Sequence, residues 1–176
     1  AARPNFAVAA RPLSSSSALG DSVPAQGAWE KSCYFKIDFT IPETDSVYDA
    51  VQRFSAYDIG CLVVTNSDGK MSGIISERDY INKIALLGRT SKDTPISEVM
   101  TSSPLMTANM SATVEECMHK MLSKDIRHLP LLDPEGNCVG MLSVKDIVKE
   151  LVAEKDKTIN VLSDFALGKG GHFGSD

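Results

Sequence analysis

The sequence repeats itself at an offset of 67 residues, and this duplication limits the possible folds more than any other feature. The alignment runs without a gap from Thr40 to Asp79 and keeps two glycines and a Ser-x-x-Asp motif in register. The matched pairs are Thr40/Thr107, Val47/Val114, Asp58/Asp125, Ile59/Ile126, Leu62/Leu129, Gly69/Gly136, Gly73/Gly140, Ser76/Ser143 and Asp79/Asp146. Self-similarity at one fixed period indicates two copies of a single supersecondary unit.

Each copy is expected to begin with a short strand and an amphipathic helix. The strands are predicted near Phe39-Thr40 and Met106-Thr107. In the second copy, apolar residues recur at helical spacing between Thr113 and Leu122, and Ser111 is a candidate N-cap. The first copy carries the same stripe at Val47, Ala50, Val51 and Phe54. These patterns predict a strand followed by a helix at the start of both copies.

Two strands joined by a glycine-ended turn come next, and a second helix closes each copy. The predicted strands are Cys61–Val64 and Ser72–Ile75, matched by Leu129–Leu132 and Val139–Leu142. The closing helix begins after Ser76 or Ser143, a natural N-cap, with Asp79 or Asp146 in its first turn. The order β-α-β-β-α occurs twice, which predicts an α/β (α+β) fold in which two small units share one core.

This pattern resembles a tandem pair of CBS domains, also called a Bateman module. The motifs that carry it are Val99-Met100-Thr101-x-x-Pro104, residues 126–133, Gly140-Met141-Leu142-Ser143-x-x-Asp146 and, in the first copy, residues 73–80. Residues 76–101 are similar to stand-alone CBS-pair proteins of alphaproteobacteria and to the mitochondrial CBSX family of plants. The resemblance implies two repeats related by a pseudo-two-fold axis.

The repeat and the resemblance together predict five segments. They are an N-terminal extension over 1–33, a first repeat over 34–88, a linker over 89–98, a second repeat over 99–153, and a C-terminal helix extension with a Gly-rich tail over 154–176. Leu162, Phe165 and Leu167 lie beyond the second repeat and would suit a dimer or partner interface.

The resemblance implies clefts for an adenosyl ligand between the repeats. A hydroxyl and free N–H groups at a helix start suit a phosphate, and an aspartate one turn on can accept hydrogen bonds from ribose hydroxyls. Ser76 with Asp79 would form one half-site, and Ser143 with Asp146 the other. Helix capping alone explains the same four residues equally well. The ligand candidates are AMP, ADP, ATP, NAD(H) and S-adenosylmethionine, with no covalent cofactor.

We expect the better half-site to be the one with Ser143 and Asp146. Arg127 and His128 stand beside the strand that should line it, where the first copy has Gly60 and Cys61. The side chains that could neutralise phosphate are Arg78, Arg127, His128 and Lys145, and the entry strands add Thr40 and Thr107. Pro130 lacks an N–H and indicates an edge strand open to a ligand. Protonation of His128 would make phosphate binding sensitive to pH.

Composition and missing motifs exclude several classes of function. The net charge of −5 argues against a nucleic-acid binder, which needs a basic face. No apolar run approaches the roughly 20 residues of a membrane span. No nucleophile elbow, phosphate loop or zinc-protease motif is present, so we expect no catalysis. The four cysteines show no metal-binding spacing, and Cys61 and Cys138 are expected to be buried free thiols.

Residues 1–20 contain two arginines, a serine run and no acidic residue, as organellar transit peptides do. This composition, with the plant resemblance, predicts a mitochondrial protein, with the plastid as the alternative. An ordinary tail or an arm that docks on a partner would also fit. We expect residues 1–28 and 168–176 to make few contacts with the chain's own core.

The most economical functional hypothesis is a non-catalytic regulator. It would sense an adenosyl nucleotide, act as a homodimer and modulate a protein partner, for which the plant resemblance suggests a thioredoxin-like protein. The alternative is a structural subunit of a larger mitochondrial complex in which the repeat pair serves for docking.

Overall fold

The computed structural model describes residues 23–167. The predicted transit segment and the Gly-rich tail therefore lie outside the described residues. The first repeat contains β1 (Thr40–Pro42), α2 (Val47–Tyr57), β2 (Cys61–Thr65), β3 (Met71–Ser76) and α3 (Glu77–Tyr80), with a π-helical turn over Ile81–Ala85. It is preceded by α1 (Ala25–Glu30) and a 3-10 turn over Cys33–Lys36.

The second repeat has the same order of elements. After a 3-10 turn at Ile96–Glu98 come β4 (Ala108–Asn109), α4 (Val114–Ser123), β5 (His128–Leu132), β6 (Cys138–Ser143) and α5 (Val144–Ala166). The mixed α/β fold class and the β-α-β-β-α order are confirmed. The copies differ at their ends, because α3 has 4 residues and α5 has 23.

The two sheets share topology and register as well as element order. Each has three strands, with the second strand parallel to the first and antiparallel to the third. Cys61 pairs with Ser76 as His128 pairs with Ser143, so the offset of 67 residues holds strand by strand. Gly69 and Gly136 in the connecting turns have φ of +74° and +84°, a region that favours glycine.

Pro130 does not mark an edge strand, and that expectation is wrong. It lies in β5, the central strand of its sheet. In the first repeat the N–H of the matching residue Val63 donates to Phe39 O at 2.9 Å. Pro130 has no N–H to offer, and β4 pairs only with Leu131 and Leu132. The proline therefore shortens the parallel ladder by a residue without exposing the strand.

Helix starts follow hydroxyl and carboxylate pairs three residues apart. Ser76 and Asp79 form a reciprocal capping box at α3, and Ser143 with Asp146 makes the same bonds at α5. The N-cap of α4 is Thr113 rather than Ser111, because Glu116 completes a capping box with Thr113.

Two apolar clusters form the core, one per repeat, and they are not independent. Met141 of β6 is 0% exposed and packs in the cluster of the first repeat, together with Tyr34 from the segment before it. Ala25 and Ala28 of α1 pack in the cluster of the second repeat. The expectation that residues up to 28 make few contacts with the core is therefore wrong for residues 23–28.

Helix α5 begins on the second repeat and then leaves it. Ile147 is buried and Leu151 packs against the second cluster. Val148 and Val152 are about half exposed, so they lie on the outer face of the helix. Leu162 and Leu167 are exposed as expected, because that part of the helix lies beyond the second repeat.

Candidate functional site

A cavity of about 200 Å³ lies between the repeats beside the start of α3. Its walls come from both repeats: Cys61, Ile74, Ser76, Arg78, Asp79, Thr101, Asp125, Ile126, Arg127 and His128. It thus combines two hydroxyls, two carboxylates, two guanidinium groups, an imidazole and apolar side chains. We call this the first half-site.

Asp79 serves the helix cap with one oxygen and presents the other to polar side chains. Its Oδ2 accepts hydrogen bonds from the N–H and hydroxyl of Ser76, at 2.9 and 2.6 Å. Its Oδ1 lies 2.7 Å from Lys83 Nζ and accepts a bond from Thr101 Oγ1 at 3.3 Å. The side chain keeps 12% of its surface exposed. Asp79 is therefore a cap and also a wall of the cavity.

Positive charge reaches the first half-site from both repeats. Arg78 Nη1 lies 3.5 Å from Asp125 Oδ2 in an ion pair across the repeats. Arg127 lines the same cavity. An exposed pair such as Arg78–Asp125 contributes little stability, so Arg78 can turn toward an anion at small cost.

A second cavity, of about 230 Å³, is the counterpart of the first under the 67-residue offset. Asp58, Ile59, Ser143 and Lys145 line it where Asp125, Ile126, Ser76 and Arg78 line the first. Its remaining walls are Cys33, Tyr34, Gly60, Glu77, Arg127, His128 and Val144. We call this the second half-site.

Asp146 is not a wall of this second cavity. It is 4% exposed, and its Oδ2 accepts bonds from Ser143 N, Ser143 Oγ and Ser32 Oγ at 2.9, 2.6 and 2.9 Å. Tyr34 is 1% exposed, and its hydroxyl donates to Cys61 O at 3.2 Å. The residues just before the first repeat thus cover the aspartate, which argues against the sequence-based preference for Ser143 and Asp146.

Arg127 and His128 belong to both half-sites, because they line both cavities. Burial, with Arg127 as a second cause, lowers the pKa of His128 to about 4, although Asp146 opposes the shift. We therefore expect His128 to be neutral at physiological pH, which argues against the expected switch near its ordinary pKa.

Besides Asp146, three candidate residues lie outside both cavities. The Thr40 hydroxyl donates to Asp38 at 2.6 Å, and the Thr107 carbonyl accepts a bond from Lys120 at 2.9 Å. Pro130 is buried in its sheet. All three support the strands or helices, and the structure does not bring them to a ligand pocket.

Sequence reasoning missed several residues at the half-sites, among them Thr101, Ser32 and Tyr34. Thr101 belongs to the Val-Met-Thr motif, so its pattern was visible but its contact with Asp79 was not. Ser32 and Tyr34 lie in a segment that breaks the repeat, where no internal comparison could indicate a role.

All four thiols are free. Cys61 is buried as expected, whereas Cys138 is only partly buried. Desolvation raises the pKa of Cys61 and Cys117, and it raises that of Cys138 to about 11. These three thiols stay protonated at neutral pH, and only Cys33 is exposed. Residues 23–167 contain no cluster of side chains suited to a metal ion.

No helix within the described part of the chain is both long enough and apolar enough to cross a membrane.

Comparison with known proteins assigns both repeats. The profile of the CBS domain matches residues 36–86 and 96–153. The mitochondrial CBS domain-containing protein CBSX3 of Arabidopsis thaliana is 35% identical over 70% of this chain and 61% of its own length. The chain therefore spans about three fifths of that relative.

Solved structures agree in fold. A protein with CBS domains from Burkholderia ambifaria MC40-6 is 36% identical with a TM-score of 0.62, covering 67% of this chain and 85% of that chain. The CBS domain pair of protein MJ0100, solved with 5′-methylthioadenosine and S-adenosyl-L-methionine, has a TM-score of 0.64 at 22% identity. That alignment covers 76% of this chain and 99% of the MJ0100 chain.

Proposed function

The chain belongs to the CBS domain family, and from this premise we propose that it is a non-catalytic regulatory module that binds an adenosyl nucleotide at the first half-site. Asp79 would accept bonds from the ribose hydroxyls. Ser76, Arg78 and Arg127 would bind the phosphate. The protein MJ0100, which has the same fold, was solved with two adenosyl compounds, and this supports the ligand class.

The observation that carries the proposal is the difference between the two aspartates. Asp79 lines an open cavity that also contains two arginines. Asp146 is covered by Ser32 and lines neither cavity. A carboxylate that must bind ribose has to be reachable, and only Asp79 meets that condition.

Replacing Asp79 by alanine is therefore expected to weaken AMP and ATP binding by roughly 10- to 150-fold, the value of a hydrogen bond to a charged group. Titration calorimetry measures the effect. Asp146→Ala is the matched control, because it removes the same capping contact from α5 and should leave affinity nearly unchanged. Weakened binding in Asp146→Ala with unchanged binding in Asp79→Ala would reverse the assignment.

The nucleotide itself remains to be selected from AMP, ADP, ATP, NAD(H) and S-adenosylmethionine. A ligand that binds only the folded state raises its stability by mass action. A thermal-shift series with these five compounds ranks them, and the ranking should disappear in Asp79→Ala.

We also propose that the protein is mitochondrial and that its ligand state is passed to a protein partner. The likeness to mitochondrial CBSX3 and the Arg- and Ser-rich residues 1–20 support this location. A thioredoxin-like partner is the first class to test, in pull-downs with and without AMP. A bound ligand can influence such a partner only by favouring one arrangement of the repeats over another.

A homodimer through α5 is part of this proposal. Val148, Val152, Ile159 and Leu162 are 52–62% exposed and form one stripe along the helix, which Lys155 interrupts between Val152 and Ile159. Their spacings of four, seven and three residues are those of a helix that packs against a second helix. Beyond Leu151, the last α5 residue packed on the second cluster, 15 residues of α5 remain. An isolated helix of about that length is only marginally stable in water, so pairing with a second copy would stabilise this end.

The dimer should appear in light scattering at twice the chain mass, and Ile159→Lys should convert it to a monomer because the charge would enter the apolar stripe. Val161→Lys is the control, since Val161 is also exposed but lies on the opposite side of the helix. Equal masses for both variants would refute the interface.

The alternative function is that of a structural subunit of a larger mitochondrial complex. The closure of the second half-site by the chain itself favours it, because a module that only docks needs no ligand. If the wild type binds none of the five nucleotides, this alternative replaces the sensor.

A further inference from the structure

The segment before the first repeat, residues 23–34, lies across the second repeat, and we call it the strap. Backbone bonds fix its start: Ala25 N–H donates to Ala112 O at 2.7 Å, and Val114 N–H donates to Val23 O at 2.9 Å. Ala25 and Ala28 are 0% and 2% exposed. The start of the strap is therefore packed and hydrogen-bonded as an integral part of the second repeat.

The end of the strap covers the groups that a nucleotide would need. The ring of Trp29 packs on Gly140, where an added Cβ would lie 2.8 Å from the indole. Ser32 donates to Asp146 at 2.9 Å, as a ribose hydroxyl would. Tyr34 fills the wall between Cys61 and His128, with its ring centroid 6.1 Å from that of His128.

The first half-site shows what the strap changes. There the matching glycine, Gly73, is met by Met100 and the Thr101 carbonyl. The Thr101 hydroxyl is 3.3 Å from Asp79, which still lines its cavity. At the second half-site the bulkier ring of Trp29 takes the place of Met100. The bond from Ser32 to Asp146, at 2.9 Å, is shorter than the bond from Thr101 to Asp79, so Asp146 is covered. The difference between the half-sites therefore lies in the strap, since both repeats supply the same Ser-x-x-Asp motif.

Besides the backbone bonds at its start and the bond of the Tyr34 hydroxyl, two polar side-chain contacts hold the strap closed, and it has one energetic defect. Lys31 Nζ lies 2.8 Å from Glu150, which is 7% exposed, and Ser32 bonds Asp146. None of the described residues accepts a hydrogen bond from Trp29 Nε1, although this atom is buried. A buried donor without a partner lowers the stability of the closed state, so a competing ligand needs less affinity to displace it.

We propose that the strap is an intramolecular competitor of the nucleotide at the second half-site. While the strap is closed, one chain binds one nucleotide; when it opens, Asp146 is released and a second nucleotide binds. The chemical class of the ligand rests on the proposed function, whereas the closure by Trp29, Lys31 and Ser32 does not. The strap would then be the segment that moves when the second nucleotide binds.

The first test needs no ligand, because Trp29 is the single tryptophan of the chain. In the double variant Lys31→Ala/Ser32→Ala, we expect redder Trp29 emission and stronger acrylamide quenching. Loss of the charged Ser32 bond alone should raise the open population roughly 10- to 150-fold. Gln26→Ala is the control, since it removes only an exposed contact with Glu30. Quenching equal to that of the wild type would overturn the inference.

The variant Gly140→Ala should open the strap by an independent route. Its methyl group would collide with Trp29 while leaving Lys31 and Ser32 in place. It should redden the Trp29 emission in the same direction as the double variant. Far-UV circular dichroism must show wild-type helix and strand content in both, so that exposure of Trp29 reports opening and not unfolding.

The second test counts bound AMP by titration calorimetry on the full chain. We expect one equivalent in the wild type, two in the double variant, and one again when Asp146→Ala is added. If the wild type binds no AMP but the double variant binds one, the assignment of the first half-site fails and the strap inference stands. If the double variant binds no more AMP than the wild type, the strap inference is overturned.

Discussion

Replacing Met141 by alanine is expected to destabilise the protein by about 2–5 kcal/mol, the range for removing a long side chain from a packed core. Met141 is 0% exposed and belongs by sequence to the second repeat, but it packs among core residues of the first. The loss should therefore appear as a single unfolding transition at lower denaturant, and not as selective melting of one repeat.

Urea unfolding followed by circular dichroism and by Trp29 fluorescence measures this. Trp29 packs against the second cluster, so coincident curves from the two probes would show that both repeats unfold together. Leu122→Ala is the control, because Leu122 is 70% exposed and its removal should change stability by no more than about 0.5 kcal/mol. Separate transitions in Met141→Ala would contradict a shared core.

A shared core also matters for regulation. A nucleotide bound at the first half-site would touch groups of both repeats, Asp79 from the first and Arg127 from the second. It can shift the balance between two arrangements of the repeats only by binding one of them more tightly than the other. Met141 and Cys138 of β6 pack in the core of the first repeat and so link the two repeats directly.

Local periodicity was enough to predict the fold. Alternating and helical patterns, turn glycines and caps all act within a few residues, and the duplication let each copy support the other. The strands found for Cys61–Thr65 and His128–Leu132 differ from the prediction by one residue each. Ser111 failed as an N-cap because two hydroxyls competed, and the partner Glu116 lies three residues after Thr113.

Local sequence patterns could not predict whether the aspartate of each half-site is accessible or covered. The bond between Ser32 and Asp146 joins residues 114 positions apart, and no local pattern indicates it. The sequence favoured the second half-site because it has more positive charge nearby. In the structure that charge lines both cavities, and access to the aspartate depends on a segment outside the repeat.

Acid is expected to destabilise the protein through His128, by up to about 3 kcal/mol between pH 6.5 and pH 4. The pKa of His128 is lowered to about 4 by burial, against about 6.5 in an unfolded chain. Well above pH 6.5 the imidazole is neutral in both states and contributes no pH dependence. Between pH 6.5 and 4 the unfolded chain binds a proton that the folded chain does not, so folding loses stability as the pH falls.

Urea unfolding at pH 7 and pH 4.5 tests this with His128→Gln, which cannot take up the proton. The variant should lose less stability than the wild type over this interval, because the acidic side chains titrate in both proteins and cancel in the difference. His119→Gln is the matched control, since His119 is exposed on α4 and its replacement should preserve the wild-type slope. If His128→Gln loses as much stability as the wild type, the imidazole is not held neutral by the fold. His128 would then be free to charge beside Arg127 and to bind phosphate in acid.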